Sequence, residues 1–299
     1  MSMSQFALQD FIGSEVERNY TESPVVILPI PYEATTTYRK GCEWGPDALL
    51  EASHQLECYD DELRRETCFD VGIFTHGAIA DTRQNPELSA EEMLAVTSET
   101  TQNLLQDGKF VIALGGEHAI TTGVVKGHLE FYQEPFTVVQ IDAHADLRQS
   151  YEGSEHNHAC IMRRVMDLGL PSLPVAIRSL CREEADLLAA KEIPVIWAWD
   201  MQNDPNWIDR AIANIKTEKV FLTIDLDGID PTLIAGVGTP EPGGMDWYST
   251  LRFLRRLFRE KQVIGCDIME LAPLDDSVVS EYTAAKLVYK LIGYWYENR

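Results

Sequence analysis

Phe136-Thr-Val-Val-Gln-Ile-Asp-Ala-His-Ala-Asp146 holds the two features that decide the fold. Residues 136–141 are short, apolar and rich in β-branched side chains, as a buried strand should be. Asp142, His144 and Asp146 follow at once, spaced by the small Ala143 and Ala145. In extended chain, residues at i, i+2 and i+4 project to one side, so the three polar groups are expected to form a comb beyond the strand's C-terminal end. Ligands of open α/β sheets bind at that edge.

Similar apolar runs recur on both sides of this stretch, at 25–30, 110–114, 173–177, 194–197, 220–224 and 263–268. Stretches of helical periodicity lie between them, at 45–58, 90–106, 120–130, 182–190, 207–215, 249–259 and 277–296. The second of these opens with a capping box, Ser89 with Glu92 three residues on. Strands alternating with helices predict βαβ units: an α/β fold of three layers, α/β/α, around a mostly parallel central sheet. No Pro/Gly/Ser linker, charge block or repeat divides the sequence, so residues 1–299 are expected to form one domain.

Composition narrows the function. No apolar run approaches the roughly 18 residues of a membrane span, and residues 1–20 are polar and acidic without a signal-peptide core, so the protein is expected in the cytoplasm. The six cysteines lack CxxC spacing and are read as free thiols. A net charge of -23 argues against nucleic acid or an anionic membrane as partner and favours a small cation.

Four polar clusters interrupt the apolar pattern, each just past a predicted strand: Gly115-Gly116-Glu117-His118, the comb at 142–146, Asp225-Leu226-Asp227 with Asp230-Pro231, and Glu270. Asp225 and Asp227 repeat the i, i+2 spacing, so two combs could face each other across a metal site. With His118 and His144 the set offers two imidazoles and four carboxylates and no thiolate, a mix that suits manganese better than a structural zinc. Four carboxylates overcharge one ion, so two ions sharing bridging aspartates are expected. A pair about 3.5 Å apart can activate a water at neutral pH.

At these residues the chain resembles the ureohydrolase family of arginases and agmatinases, agmatinases most of all. The resemblance is carried by Gly-Gly-Glu-His at 115–118, Asp-Ala-His-Ala-Asp at 142–146, Thr-Ile-Asp-Leu-Asp-Gly-Ile-Asp-Pro at 223–231, Gly-Thr-Pro-Glu-Pro-Gly-Gly at 238–244 and Asp-Ile-Met-Glu at 267–270. It implies two manganese ions per subunit, one with His118, Asp142, Asp146 and Asp225, the other with Asp142, His144, Asp225 and Asp227. It also implies hydrolysis of a guanidino compound to urea and an amine, in a homo-oligomeric trimer or hexamer. Glu117 stands where the family more often has Asp, and Thr223 where it has Ser.

Glu270 is expected to grip the planar guanidinium through a charge-assisted contact. A proton for the leaving amine calls for a histidine. His158, before Ala159 and Cys160, matches the family's substrate-side histidine, whereas His156 reads as a loop residue. Asp230 is expected to orient the site or, alternatively, only to form the turn before Pro231. The segment 32–46 resembles the agmatinase entrance loop, and a dicationic substrate suits an acidic protein, so agmatine, giving putrescine for polyamine synthesis, is the expected substrate. Arg148 lies close to where an arginase-like enzyme reads a carboxylate, which opens the alternative of a guanidino acid such as 4-guanidinobutyrate. A metal-binding relative without turnover and a zinc deacylase of similar architecture are the readings from other classes.

Overall fold

The structure is a computed structural model that describes residues 10–13 and 19–299. Most of the acidic stretch 1–20 lies outside those residues. The strands are β1 (Val25–Ile30), β2 (Tyr59–Asp60), β3 (Arg65–Glu66), β4 (Ile73–Thr75), β5 (Phe110–Gly115), β6 (Thr137–Ile141), β7 (Ser172–Ile177), β8 (Ile196–Trp197), β9 (Lys219–Asp225) and β10 (Gln262–Met269). The helices are α1 (Gly45–Ser53), α2 (Thr67–Asp70), α3 (Ala90–Gln106), α4 (Thr121–Tyr132), α5 (Ile161–Asp167), α6 (Arg182–Ala190), α7 (Ala198–Met201), α8 (Trp207–Asn214), α9 (Trp247–Glu260) and α10 (Val279–Glu297). Eight strands form one sheet in the order β4-β1-β5-β10-β9-β6-β7-β8, with every pairing parallel.

A parallel sheet is covered on both faces, which is why its strands read as continuous apolar runs. Alternate residues of β1 divide accordingly. Val25 and Ile27 join the core that contains Leu49 and Leu50 of α1, Leu254 of α9, and Leu287, Val288 and Leu291 of α10. Val26, Leu28 and Ile30 point to the opposite core, which contains Met93 and Leu104 of α3, Val124 and Val125 of α4 and Val165 of α5. The result is the three-layer arrangement expected from the sequence.

The predicted helices 90–106 and 182–190 coincide with α3 and α6, and the Ser89–Glu92 capping box is formed in both directions. The run 45–58 is helical only to Ser53. Beyond it the amides of His54, Gln55 and Leu56 reach back three residues rather than four, and the Ser53 hydroxyl donates to the Leu50 carbonyl. Short elements escaped the sequence pattern, among them the edge strand β4, the β2–β3 pair and α5. Each is too brief to show a period.

The position of the site follows from strand order. The strands that precede the four polar clusters, β5, β10, β9 and β6, are adjacent at the centre of the sheet. Register brings their ends level, with Leu114 beside Ile268, Met269 beside Asp225 and Ile141 beside Ile224. Gly116 lets the chain leave β5 against the Tyr32 backbone, where a Cβ would collide with the Tyr32 carbonyl.

One buried group makes the fold sensitive to acid. His128 of α4 is fully enclosed, with its Nδ1 2.9 Å from the Val124 carbonyl and its ring edge-on to Phe221. Burial depresses its pKa to about 4. The folded chain therefore keeps His128 neutral while the unfolded chain takes up a proton below about pH 6.5. Stability conferred by the neutral ring is present above that pH and is lost as pH falls towards 4. Between pH 7 and pH 5 the loss amounts to about 2 kcal/mol. Urea unfolding at the two pH values should show a drop smaller by about that amount in His128→Gln than in the unsubstituted protein; equal drops would contradict the assignment.

Candidate metal centre and active site

Both aspartate combs are built by the same local device. The regular strand ends at Ile141, and Asp142 Oδ1 accepts the amide of His144 at 2.6 Å. Beyond β9, Asp225 Oδ1 accepts the amide of Asp227 at 2.9 Å. These are Asx-type turns, in which a carboxylate takes the N–H two residues on. The extended comb expected at 142–146 is thus interrupted by a turn at 142–144, although the chain still bonds to the β7 side, through the Asp142 amide to the Val175 carbonyl and through the Ala143 carbonyl to the Arg178 and Ser179 amides. The turn commits one oxygen of each aspartate to the backbone and leaves Oδ2 beside His118 Nδ1. Asp146 adopts a left-handed φ of 52°, and the first amides of α5, from Met162 and Arg163, hold its carbonyl at 3.0 and 3.2 Å.

The side chains fall into two groups that share Asp142. Around His118 Nδ1 lie Oδ2 of Asp142 at 3.3 Å, of Asp146 at 3.2 Å and of Asp225 at 3.2 Å. Around His144 Nδ1 lie Oδ2 of Asp227 at 3.0 Å and Oδ1 of Asp142 at 3.6 Å. Two donors each about 2.1 Å from one ion and about 100° apart are separated by about 3.2 Å, so the first group has the spacing of a coordination shell.

Polar satisfaction points the same way. His118 Nδ1 is buried and makes no hydrogen bond despite three nearby carboxylates, while Nε2 lies 2.9 Å from the Thr223 hydroxyl. A proton on Nε2, donated to Thr223, leaves a lone pair on Nδ1 aimed at anionic oxygens, which is tolerable only with a cation between them. The charges of the cluster agree. Burial lifts Asp146 to about 7, with Asp142 adding to the rise, and Asp225 is raised well above the usual carboxylate range by burial and by Asp227 and Asp142. Burial opposes a charge on His144, yet Asp142 and Asp227 outweigh it and push the ring up to about 12. Four carboxylates against two neutral imidazoles lack four positive charges, the amount that two divalent ions supply. The residues present therefore fit a binuclear metal centre.

Other groups hold these donors in place. Gln140 gives its amide to Asp142 Oδ2 at 2.8 Å and to the His144 carbonyl at 3.2 Å. Thr239 lies 3.2 Å from Asp227 Oδ2. Arg178 donates to the carbonyls of Asp227 and Glu241 at 2.6 Å and of Pro242 at 2.9 Å, tying the loop 238–244 to the second comb. Gln140 and Thr223 were visible in the sequence as polar residues two places before Asp142 and Asp225 in otherwise apolar strands. Arg178 gave no such signal, since it pairs with backbone rather than with an acid.

A cavity of about 330 Å³ opens over the cluster. His118, His144, Asp146, Asp225, Asp227 and Glu270 reach it, and His158, Arg148, Tyr151, Glu184 and the entrance segment 36–39 also line it. Glu270 sits at a left-handed φ of 66°, accepts the His118 amide at 2.6 Å, and is raised to about 8, chiefly by burial. Arg148 lies over the Tyr151 ring at 4.7 Å. Two residues considered in the sequence lie apart from the cavity walls. His156 is not among the lining residues. Asp230 takes the amide and hydroxyl of Thr232 and the Gly243 amide, so the structure supports its turn-forming reading rather than contact with reacting atoms.

Metal analysis separates these positions. Asp142→Asn, which weakens the residue common to both groups, is expected to bring bound divalent metal from two ions per chain to below one, while Asp230→Asn keeps both. Full metal content in Asp142→Asn would contradict the shared role.

The comparisons with known proteins agree with this geometry. The profile of the Arginase family matches residues 23–293. The N(1)-aminopropylagmatine ureohydrolase of Synechocystis is 59% identical over 97% of this chain and 95% of its own length. The agmatinase of Pyrococcus horikoshii is 34% identical over 91% and 92%. The crystal structure of the agmatine ureohydrolase of Thermoplasma volcanium superposes with a TM-score of 0.82 at 31% identity, covering 98% of this chain and 96% of that one. With eight parallel strands, the paired His/Asp groups and a family match over nearly its whole length, the chain belongs to the arginase family of ureohydrolases, metal-dependent hydrolases of guanidino compounds.

Proposed function

We propose that this ureohydrolase acts on N(1)-aminopropylagmatine, releasing urea and the triamine left when the guanidino carbon departs. The observation that carries the reading is the 59% identity, over 97% of the chain, to the Synechocystis enzyme of that name. The cavity supports a polycationic tail over a guanidino acid. Of the guanidinium groups that line it, Arg39 donates to the carbonyls of Val237, Ala272 and Pro273, and Arg148 is stacked on Tyr151. Arg39 is thus committed to backbone carbonyls, and Glu184 contributes an anion to the wall. Agmatine, giving putrescine, is the second reading, favoured by the similarity to the Pyrococcus agmatinase.

Two divalent ions, proposed to be manganese and held by His118, Asp142, Asp146 and Asp225 and by Asp142, His144 and Asp227, would lower the pKa of water and offset developing negative charge. Glu270 is proposed to orient the substrate, its carboxylate facing the guanidinium and its φ fixed by the Gly116 carbonyl that accepts its amide at 2.9 Å. Attack of water on the guanidinium carbon releases a proton, and rupture of the C–N bond requires one at the departing nitrogen. His158 is proposed to carry it. Burial depresses its pKa to about 4, so the resting ring is neutral and free to accept a proton before returning it to the amine. The subunits are proposed to assemble into a homo-oligomer.

Urea release by the manganese-loaded protein tests the reading. The value of kcat/KM for N(1)-aminopropylagmatine is expected to exceed that for agmatine by about tenfold, the worth of one additional contact to an ammonium group, with 4-guanidinobutyrate slower still. A preference for agmatine would favour the second reading, and turnover of the guanidino acid alone would overturn both.

A further inference from the structure

We propose that Thr35 and Glu117 are positioning residues that hold His158 as its Nδ1–H tautomer, leaving Nε2 as the basic nitrogen; the role in turnover rests on the proton-carrier reading above. Glu117 is fully buried beside the first metal-ligand candidate, and its side-chain hydrogen bonds run to the entrance segment. Its Oε2 accepts the amides of Ala34 and Thr35, both at 2.6 Å, and its Oε1 lies 2.8 Å from the Thr35 hydroxyl. That hydroxyl is in turn 3.1 Å from the His158 amide and 3.2 Å from His158 Nδ1.

Counting protons sets the direction of each bond. The Thr35 hydroxyl has one proton, and the His158 amide only donates. Glu117, towards which the Ala34 and Thr35 amides and that hydroxyl converge, accepts the proton as the carboxylate, the form these three donors favour against the burial that lifts it to about 7. The hydroxyl proton therefore goes to Glu117, and Thr35 accepts both from the His158 amide and from Nδ1–H. Two bonds from one residue to one oxygen restrain the ring as well as its tautomer. Tyr151 limits it further, with its ring perpendicular to the imidazole at a centroid distance of 6.4 Å. The arrangement has the logic of a base oriented by a neighbouring acceptor, with a hydroxyl between the ring and the acid.

The replacement of Asp by Glu noted at 117 has a place in this arrangement. An aspartate would end about 1.5 Å short of the segment that carries Thr35, the length of one C–C bond. Reach, rather than charge, is what the longer side chain adds.

The test reads the tautomer directly. Full-length protein with 15N-labelled histidine, loaded with diamagnetic magnesium, gives ring-nitrogen shifts that distinguish a protonated Nδ1 from a bare one, and comparison with His158→Asn assigns the signal. The unsubstituted protein and Thr35→Ser should show His158 with Nδ1–H, whereas Thr35→Val should lose that preference. An Nε2–H ring in the unsubstituted protein, or an unchanged ring in Thr35→Val, would overturn the proposal. In the manganese-loaded enzyme Thr35→Val should lower kcat at least about tenfold while KM stays within about twofold and metal content is unchanged. Thr35→Ser should restore kcat, and combining Thr35→Val with Glu117→Asp should cost no more than the worse single change. Additive losses would contradict a shared relay. If the Nδ1–H ring is present but no guanidino compound yields urea, the relay stands and the assigned reaction falls.

Discussion

Four carboxylates, from Asp142, Asp146, Asp225 and Asp227, converge within a few ångströms in a region where each is at most 6% exposed. Buried like charges repel and forfeit hydration, so such a cluster is costly unless positive charge joins it. The rest of the site is arranged around that cost. Asx turns give Asp142 and Asp225 a backbone donor each, Gln140 supplies another to Asp142, and Ala143 donates its amide to Asp227 Oδ1 at 3.0 Å. These neutral donors lessen the penalty without cancelling it. The remaining deficit matches the charge of two divalent ions.

The sheet makes the convergence feasible. Parallel strands end on the same edge, and the order β5-β10-β9-β6 places the four polar turns side by side. Two of the turns are under strain, since Asp146 and Glu270 take left-handed φ values, as does Ala176 at the irregularity in neighbouring β7. Such conformations cost on the order of 1 kcal/mol each and persist only where surroundings impose them. Here α5 holds the Asp146 carbonyl, Arg178 spans from the Ala176 carbonyl to the second comb, and the Gly116 carbonyl holds Glu270. The same turns that bring the donors together thus fix their directions.

Much of this was legible in the sequence, and unevenly so. Strands buried on both faces announce themselves as apolar runs, so the seven strands named from the sequence are present, while β4, only three residues long, could not be distinguished. The clustering of His118, Asp142, His144, Asp146, Asp225, Asp227 and Glu270 also followed, because polar residues directly after apolar runs are conspicuous. What could not be read is how backbone groups are satisfied. The comb at 142–146 looked extended because spacing alone cannot tell a strand from an Asx turn. The Arg178 clamp and the Thr35–Glu117 link join residues 49 and 82 positions apart with no local pattern to mark them.

Anomalous diffraction from crystals of the manganese-loaded protein tests the central claim most directly. The account predicts two peaks about 3.5 Å apart, one beside His118 Nδ1 and one beside His144 Nδ1, with Asp142 between them. A single peak, or metal bound elsewhere while the four carboxylates keep their positions, would contradict it.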